Sequence, residues 1–154
     1  MKRTRALGGA GLEGTLGIIW MKVRRLTICA WNDGNRTDTA IDIPSWPDIE
    51  TAVRGLNNLD LNDIHLELEG LPETFLSVGG GAGQYIVSGS LDGKVFPVLV
   101  DSALPEEPRV GLVVGGQLGD YPRCCVVDFD RAIRAVRSVA ETGEFQKQVG
   151  WANF

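Results

Sequence analysis

Residues 64–100, IHLELEGLPETFLSVGGGAGQYIVSGSLDGKVFPVLV, contain four short runs of β-prone residues separated by Gly, Pro and Asp. This pattern predicts strands at Ile64–Glu69, Thr74–Val78, Gln84–Ser90 and Val95–Val100. The Asp-Gly pair in Leu91-Asp92-Gly93-Lys94 favours a tight hairpin turn between the last two strands. Because the connections are short, consecutive strands are expected to pair as an antiparallel meander rather than as a parallel sheet.

The chain on either side of this block extends the predicted sheet. On the N-terminal side, Leu26–Trp31 and Thr39–Ile43 flank the turn-forming residues 32–35 and predict a hairpin. On the C-terminal side, strands are predicted at Val110–Val114 and Arg123–Val127.

Two segments change to the spacing of a helix. The first begins at Ser45-Trp46-Pro47-Asp48, where serine suits the N-cap, proline the first turn and aspartate the positive end of the helix dipole. Its apolar stripe comprises Ile49, Ala52, Val53 and Leu56. The helix is expected to end at Asn57-Asn58.

The second helix is expected to start at Asp128 or Asp130 and to end at Gly143, which suits a left-handed C-terminal cap. Its predicted apolar stripe is Phe129, Ile133, Val136 and Ala140, with Arg131, Arg134 and Arg137 on the other side. The tail from Gln148 to Trp151 is expected to add an edge strand or to fold back on the sheet. The predicted class is α+β, an antiparallel sheet with two helices packed on one face.

Residues 1–20 differ in character from the remainder of the chain. Three basic residues precede a Gly-rich stretch that ends at Trp20, and a clean β-prone opening begins at Met21. A signal peptide is disfavoured, because Glu13 and several glycines interrupt the apolar run and no small-residue cleavage site follows. We predict that residues 1–20 are a flexible extension or a mis-assigned start, followed by a single domain over residues 21–154. The apolar run is too short to cross a membrane.

The chain has 15 basic and 20 acidic residues, and they are distributed unevenly. Residues 1–37 carry seven basic and two acidic side chains, whereas residues 38–154 carry eight and eighteen. Such an acidic folded part is a poor candidate for binding nucleic acid, because phosphates are bound by Lys and Arg. The same acidity suits a protein partner with a basic surface, and ordinary solubility is the alternative explanation.

The small number of cysteines and histidines limits the metal sites and catalytic groups that the chain can form. The three cysteines form no CxxC pair and are interpreted as small apolar residues in a reduced, cytoplasmic protein. Cys124 and Cys125 would point to opposite faces of the last predicted strand. A histidine-based metal site or a Ser-His-Asp triad would depend on His65 alone, which is interpreted as an ordinary strand residue. No metal, cofactor or catalytic residue is therefore predicted.

Two glycine clusters stand out, residues 79–85 (GGGAGQY) and residues 115–122 (GGQLGDYP). Neither has the Lys-Ser or Lys-Thr ending of a phosphate-binding loop, and Asp120 would repel phosphate. Glycine permits positive φ angles and the close approach of strands, which explains the clusters on structural grounds. Each cluster also ends in a tyrosine beside polar groups, a composition typical of recognition surfaces.

Six residues are candidates for contact with a partner, on condition that both glycine turns emerge at one end of the sheet. They are Gln84, Tyr85, Gln117, Asp120, Tyr121 and Trp151. Core packing is the alternative for the aromatic residues Tyr85 and Trp151. The alternative for Asp120 is a turn in which its carboxylate binds backbone amides.

The order of these motifs carries a resemblance to a known family. Residues 79–85 and 115–122 are followed by Thr-Gly at 142–143 and by a closing Trp151. From about Val23 to Trp151 the chain resembles the DddI-like immunity proteins, which accompany bacterial polymorphic toxins that often carry deaminase domains. It departs from that family in having Gln84 where the family has Arg, and Ala152 after Trp151 where the family often has Glu.

The resemblance implies a non-enzymatic, intracellular antidote. Such a protein would bind its cognate toxin domain, expected to be a nucleic-acid (cytosine) deaminase, and occlude the substrate cleft without a cofactor. A deaminase that acts on nucleic acid requires a positively charged substrate groove, which an acidic inhibitor would complement. The oligomeric state is left open.

Two other classes of function remain open. The first is an adaptor domain that uses the same glycine turns to bind a protein other than a toxin. The second is a small enzyme built on Asp120, Tyr121 and the strand face that carries Glu67 and Glu69. The sequence contains no GxSxG elbow, HExxH helix or Cys-His-Asn set that would favour the enzyme.

Overall fold

The computed structural model describes residues 21–70 and 72–153, so the predictions made for residues 1–20 lie outside the described residues. The helices are α1 (Trp46–Gly55) and α2 (Phe129–Thr142), and short 3-10 helices cover Arg123–Cys125 and Lys147–Val149. The strands are β1 (Val23–Asn32), β2 (Asn35–Asp42), β3 (Leu61–Leu68), β4 (Phe75–Gly81), β5 (Gln84–Ser90), β6 (Pro97–Leu99), β7 (Val110–Val114), β8 (Gln117–Tyr121) and β9 (Trp151–Asn153). The predicted α+β class is confirmed.

Seven of these strands form one antiparallel sheet in the order β2-β1-β3-β4-β5-β6-β9. The meander predicted for residues 64–100 is confirmed, since β3, β4, β5 and β6 pair in chain order. The β1–β2 hairpin is confirmed too, and Asp33 and Gly34 at its turn both have positive φ angles. The tail adds an edge strand, because β9 pairs with β6.

Alternation along the strands separates the two faces of the sheet. In β3, Ile64, Leu66 and Leu68 belong to the buried core, whereas Asp63 and His65 point to the opposite face. The register places Ile64 beside Val78 on β4, so the apolar side chains of neighbouring strands lie together. We call the face without the main core the outer face.

Both helices pack on the core face, as predicted. α1 begins with a capping box in which Ser45 Oγ accepts from the Asp48 amide and the Asp48 carboxylate accepts from the Ser45 amide. Ile49, Val53 and Val136 belong to the same buried cluster as the sheet residues, so α1 and α2 share one core. Among the described residues, no helix is long and apolar enough to cross a membrane.

The buried stripe of α2 is rotated from the predicted one. Its fully buried residues are Ala132, Ala135, Val136, Val139 and Ala140. Phe129 and Ile133, which were predicted to be buried, are only partly so. Small alanines face the sheet because they allow the helix to approach it closely. Arg131 is not simply on the solvent side, since its Nη2 donates to the Val100 carbonyl at 3.0 Å.

The prediction of a strand at Arg123–Val127 is wrong, because Arg123–Cys125 form a 3-10 helix. The strand in this part of the chain is β8, Gln117–Tyr121, which pairs with β7 around a turn in which Gly115 and Gly116 both have positive φ. Pro122 ends β8 because it lacks an amide hydrogen to donate, and the chain then turns through the 3-10 helix. Cys124 and Cys125 therefore do not alternate on a strand.

The β7–β8 ribbon packs against the glycine-rich end of β4. A Cβ atom at Gly79 would lie 2.6 Å from Val114 Cγ1, and one at Gly80 would lie 3.3 Å from Leu112 Cδ1. Gly79 on β4 pairs with Asp63 on β3, whose side chain points to the outer face. The ribbon therefore contacts the sheet at its outer face. The first glycine cluster thus provides space for the strand that precedes the second cluster.

We expect Gly79→Ala to lower the free energy of unfolding by about 1 to 3 kcal/mol, because the added methyl group overlaps Val114 and must displace the ribbon. Urea denaturation measures the loss. The matched control is Gly55→Ala, where the added methyl group has no neighbour within 4 Å in the part of the chain that the structure describes. Equal effects of the two substitutions would contradict the close packing of ribbon and sheet.

Candidate partner-binding site

The β7–β8 ribbon is held to the sheet by two asparagines. The amide of Val113 donates to Asn58 Oδ1 at 2.7 Å, and the amide of Gly116 donates to Asn62 Oδ1 at 3.0 Å. Asn62 is fully buried, and its amide group also donates to the Leu59 carbonyl at 2.7 Å. The ribbon is therefore fixed in position although, within residues 21–70 and 72–153, its two strands pair only with each other.

The two glycine turns lie at the same end of the sheet, as the hypothesis of a shared surface required. The β4–β5 turn follows Gly81, which forms a bridge with Asn57. The β7–β8 turn bonds to Asn62, and Gly116 is so close to the Trp31 ring that a Cβ there would lie 2.6 Å from it. These contacts place both turns beside the start of β3 and the end of β1, which lie at one end of the sheet.

Strand β8 presents apolar and polar groups to solvent. The side chain of Leu118 is 77% exposed, and Gln117 and Asp120 are exposed as well. Among the described residues β8 pairs only with β7, so one of its edges has no strand beside it. We call Gln117, Leu118 and Asp120 the ribbon surface.

The end of β8 is organised by an arginine. Arg109 Nε donates to Asp120 Oδ2 at 3.1 Å, and Arg109 Nη2 donates to the Asp120 carbonyl at 2.8 Å. The alternative in which Asp120 caps a turn is therefore wrong, because Asp120 lies on a strand and binds a guanidinium group. Tyr121 is half-buried, and burial raises the pKa of its hydroxyl. Its ring is so close to Gly119 that a Cβ there would lie 2.8 Å from it.

The structure does not place the remaining candidates on the ribbon surface. Gln84 is exposed and lines a different groove, together with Arg123 and Arg131. Tyr85 is buried, and its ring packs edge-on against Phe129 with the centroids 5.9 Å apart.

Trp151 is also part of the core. It is only 8% exposed, and its ring packs edge-on against Phe145 at a centroid distance of 4.9 Å. Its Nε1 is buried and has no hydrogen-bond partner within the described part of the chain. Tyr85 and Trp151 therefore both pack in the core, the alternative to partner contact for these two residues.

Two of the four residues of the enzyme hypothesis, Glu67 and Asp120, are each paired with a separate arginine. Glu67 on β3 binds Arg24 at 2.6 Å, and Asp120 on β8 binds Arg109 at 3.1 Å.

Sequence reasoning missed a polar group on the outer face. Asp63 Oδ2 lies 3.0 Å from His65 Nε2, and Ser77 Oγ lies 2.8 Å from His65 Nδ1. Trp31 Nε1 donates to Asp63 Oδ1 at 3.3 Å. Because the carboxylate only accepts, a neutral His65 donates from Nε2 to Asp63 and accepts the Ser77 hydroxyl at Nδ1. These hydrogen bonds, from Ser77 to His65 and from His65 to Asp63, hold the imidazole in one tautomer and orientation.

Cys29 completes this group from the neighbouring strand. The sulfur is buried, and burial together with the nearby Asp63 carboxylate raises the pKa of the thiol to about 12. Burial alone would raise the pKa of Asp63 as well, but hydrogen bonds from His65 and Trp31 outweigh it and lower that pKa. The only signal in the sequence was the i, i+2 spacing of Asp63 and His65, which puts both on one strand face.

Comparisons of the chain with family models, with curated proteins and with solved structures find no match.

Proposed function

We propose that this protein is a cytoplasmic immunity protein that binds a bacterial toxin domain, a nucleic-acid (cytosine) deaminase, and occludes its substrate cleft. The observation that carries the proposal is the ribbon surface, in which Leu118 is 77% exposed and shares one face of β8 with Asp120, on a strand that pairs only with β7 among the described residues. The order of the glycine motifs, which resembles that of DddI-like immunity proteins, supplies the class of partner.

The ribbon surface has the chemistry of a protein-binding site. Covering a large exposed apolar side chain such as Leu118 with a partner is favourable, and Asp120, on the same strand face, can accept directional hydrogen bonds from that partner. The free edge of β8 offers backbone groups to a strand of the partner. Asn58 and Asn62 hold the ribbon in place, so less conformational entropy is lost on binding.

The charge of the protein favours a basic partner. Residues 21–154 contain twelve basic and nineteen acidic side chains. The tip of the ribbon lies over Trp31, and the exposed acidic residues Asp33 and Asp60 belong to the loops next to it. A deaminase groove that accepts nucleic acid is positively charged, so an acidic inhibitor is attracted to it and replaces the phosphates.

We expect Leu118→Asp to weaken binding to the product of the adjacent gene, the expected toxin domain, by about 30-fold or more, which corresponds to about 2 kcal/mol for a central apolar contact. The dissociation constant is measured by calorimetry on the purified pair, and protection is measured as growth on co-expression. The matched control is Ile43→Asp, since Ile43 is also an exposed apolar residue, 42% accessible, and lies beyond the end of β2.

Different outcomes separate the proposal from its alternatives. Equal loss of binding in both variants, or none in either, would show that the ribbon surface is not the contact site. A wild-type protein that neither binds the toxin domain nor restores growth would contradict the immunity function. Stable binding to a non-toxic protein instead would establish the adaptor function. A salt-dependent association rate for the toxin complex is expected from the charge argument.

A further inference from the structure

The outer face carries three side chains with the chemistry of a metal site. Cys29 Sγ, one carboxylate oxygen of Asp63 and one ring nitrogen of His65 lie within 4.8 Å of one another. We propose that Cys29, Asp63 and His65 bind a divalent first-row transition metal ion, with Zn²⁺ as the expected ion. Thiolate, imidazole and carboxylate are the ligands that zinc accepts in proteins.

The register of the sheet brings the three ligands together. Cys29 on β1 is directly opposite Asp63 on β3, and His65 follows two residues later on the same face. His65 Nε2 and Asp63 Oδ2 are already 3.0 Å apart. Ligand atoms around a tetrahedral zinc ion stand about 3.3 to 3.8 Å apart, given bonds of about 2.0 to 2.3 Å. Small side-chain rotations therefore suffice to admit an ion.

Groups behind the ligands hold them in the required orientation. Ser77 Oγ lies 2.8 Å from His65 Nδ1. When an ion binds at Nε2, the imidazole proton moves to Nδ1 and is donated to Ser77 Oγ, which leaves the Nε2 lone pair directed at the site. Trp31 Nε1 donates to Asp63 Oδ1, which leaves Oδ2 as the ligand atom. Metal-binding histidines and carboxylates in proteins are regularly supported by such second hydrogen bonds, and loss of one weakens the site.

Burial and charge at this position also suit a cation. Cys29 and Asp63 are buried, whereas the His65 side chain is 36% exposed, so an ion can enter past the imidazole. The nearby Arg36 guanidinium is neutralised by Asp38 at 2.7 Å. On coordination the Cys29 thiol loses its proton to solvent, and the ion then lies between a thiolate and a carboxylate. Three protein ligands leave a fourth position for water.

The experiment uses the full chain without an affinity tag, stripped with EDTA and titrated with ZnCl₂ in a calorimeter and with CoCl₂ in a spectrophotometer. We expect one ion per chain and a thiolate-to-cobalt charge-transfer band in the near ultraviolet. Cys29→Ala should abolish the band, and Ser77→Ala should lower zinc affinity by about 10- to 100-fold while the stoichiometry stays the same. The matched control is Cys125→Ala, which removes another buried cysteine and should leave the band intact.

Absence of the charge-transfer band in the wild-type protein would overturn the proposal, as would an unchanged band in Cys29→Ala or its loss in Cys125→Ala. His65→Ala provides a second variant for the case in which Cys29→Ala does not fold, because His65 is partly exposed and its removal is easier to tolerate. Tight zinc binding in His65→Ala would also contradict the site. These results are independent of toxin binding, since they require no partner.

Discussion

Replacement of Trp151 by alanine is expected to lower the free energy of unfolding by about 3 to 5 kcal/mol, the cost of removing a large buried aromatic side chain. Trp151 belongs to the main core cluster and packs against Phe145, while its backbone pairs with Leu99 on β6. Its loss leaves a cavity at the place where the final edge strand joins the sheet. Urea denaturation followed by circular dichroism measures the change.

The same variant tests whether Trp151 contributes to binding. Since the side chain is buried, Trp151→Ala should bind the toxin domain with unchanged affinity at temperatures where it remains folded. Phe96→Ala is the matched control for stability, because Phe96 is 47% exposed and its removal should cost less than about 1 kcal/mol. A small stability loss combined with lost binding would instead make Trp151 a contact residue.

The second large effect is expected for Asn62→Leu, which should destabilise the protein by about 2 to 4 kcal/mol. Leucine has a similar size but leaves the Gly116 amide and the Leu59 carbonyl without their partner. Buried polar groups that lose a hydrogen bond each cost about 1 to 3 kcal/mol. Because the ribbon tip is then released, amide hydrogen exchange at Gly116 should become faster, and affinity for the toxin domain should fall.

Asn35→Leu serves as the control for this substitution, because Asn35 is exposed at the start of β2 and makes no side-chain hydrogen bond within the described residues. If exchange at Gly116 is equally slow in Asn62→Leu and in the wild-type protein, Asn62 does not anchor the ribbon. If only stability falls and toxin binding persists, the ribbon surface does not require this anchor.

Local chemistry predicted several elements closely. Strands β5 (Gln84–Ser90) and β7 (Val110–Val114) have the bounds expected from their β-prone residues. The start of α1 follows from a capping box, and the end of α2 follows from Gly143, which adopts the left-handed conformation of a C-terminal cap. These features depend on contacts between residues close together in the chain, so the sequence is sufficient to predict them.

Strand β8 could not be predicted in this way. Its residues, QLGDY, have low intrinsic preference for a strand, and they are extended because β7 pairs with them across the Gly115-Gly116 turn. The rotation of α2 has a similar cause, since the core of the sheet selects which of its apolar residues are buried. In both cases the preference of the segment itself is weaker than its packing against the remainder of the protein.

The candidate sites likewise combine features that the sequence determines with features that only the tertiary structure determines. Composition and spacing alone establish an acidic chain, an antiparallel meander and two glycine turns, because these properties are carried by types of residue and their local order. Tertiary structure places Leu118 in solvent, Tyr85 and Trp151 in the core, and Cys29 opposite Asp63. Strand register and packing between distant segments determine these positions, because a shift of one residue would send each side chain to the other face.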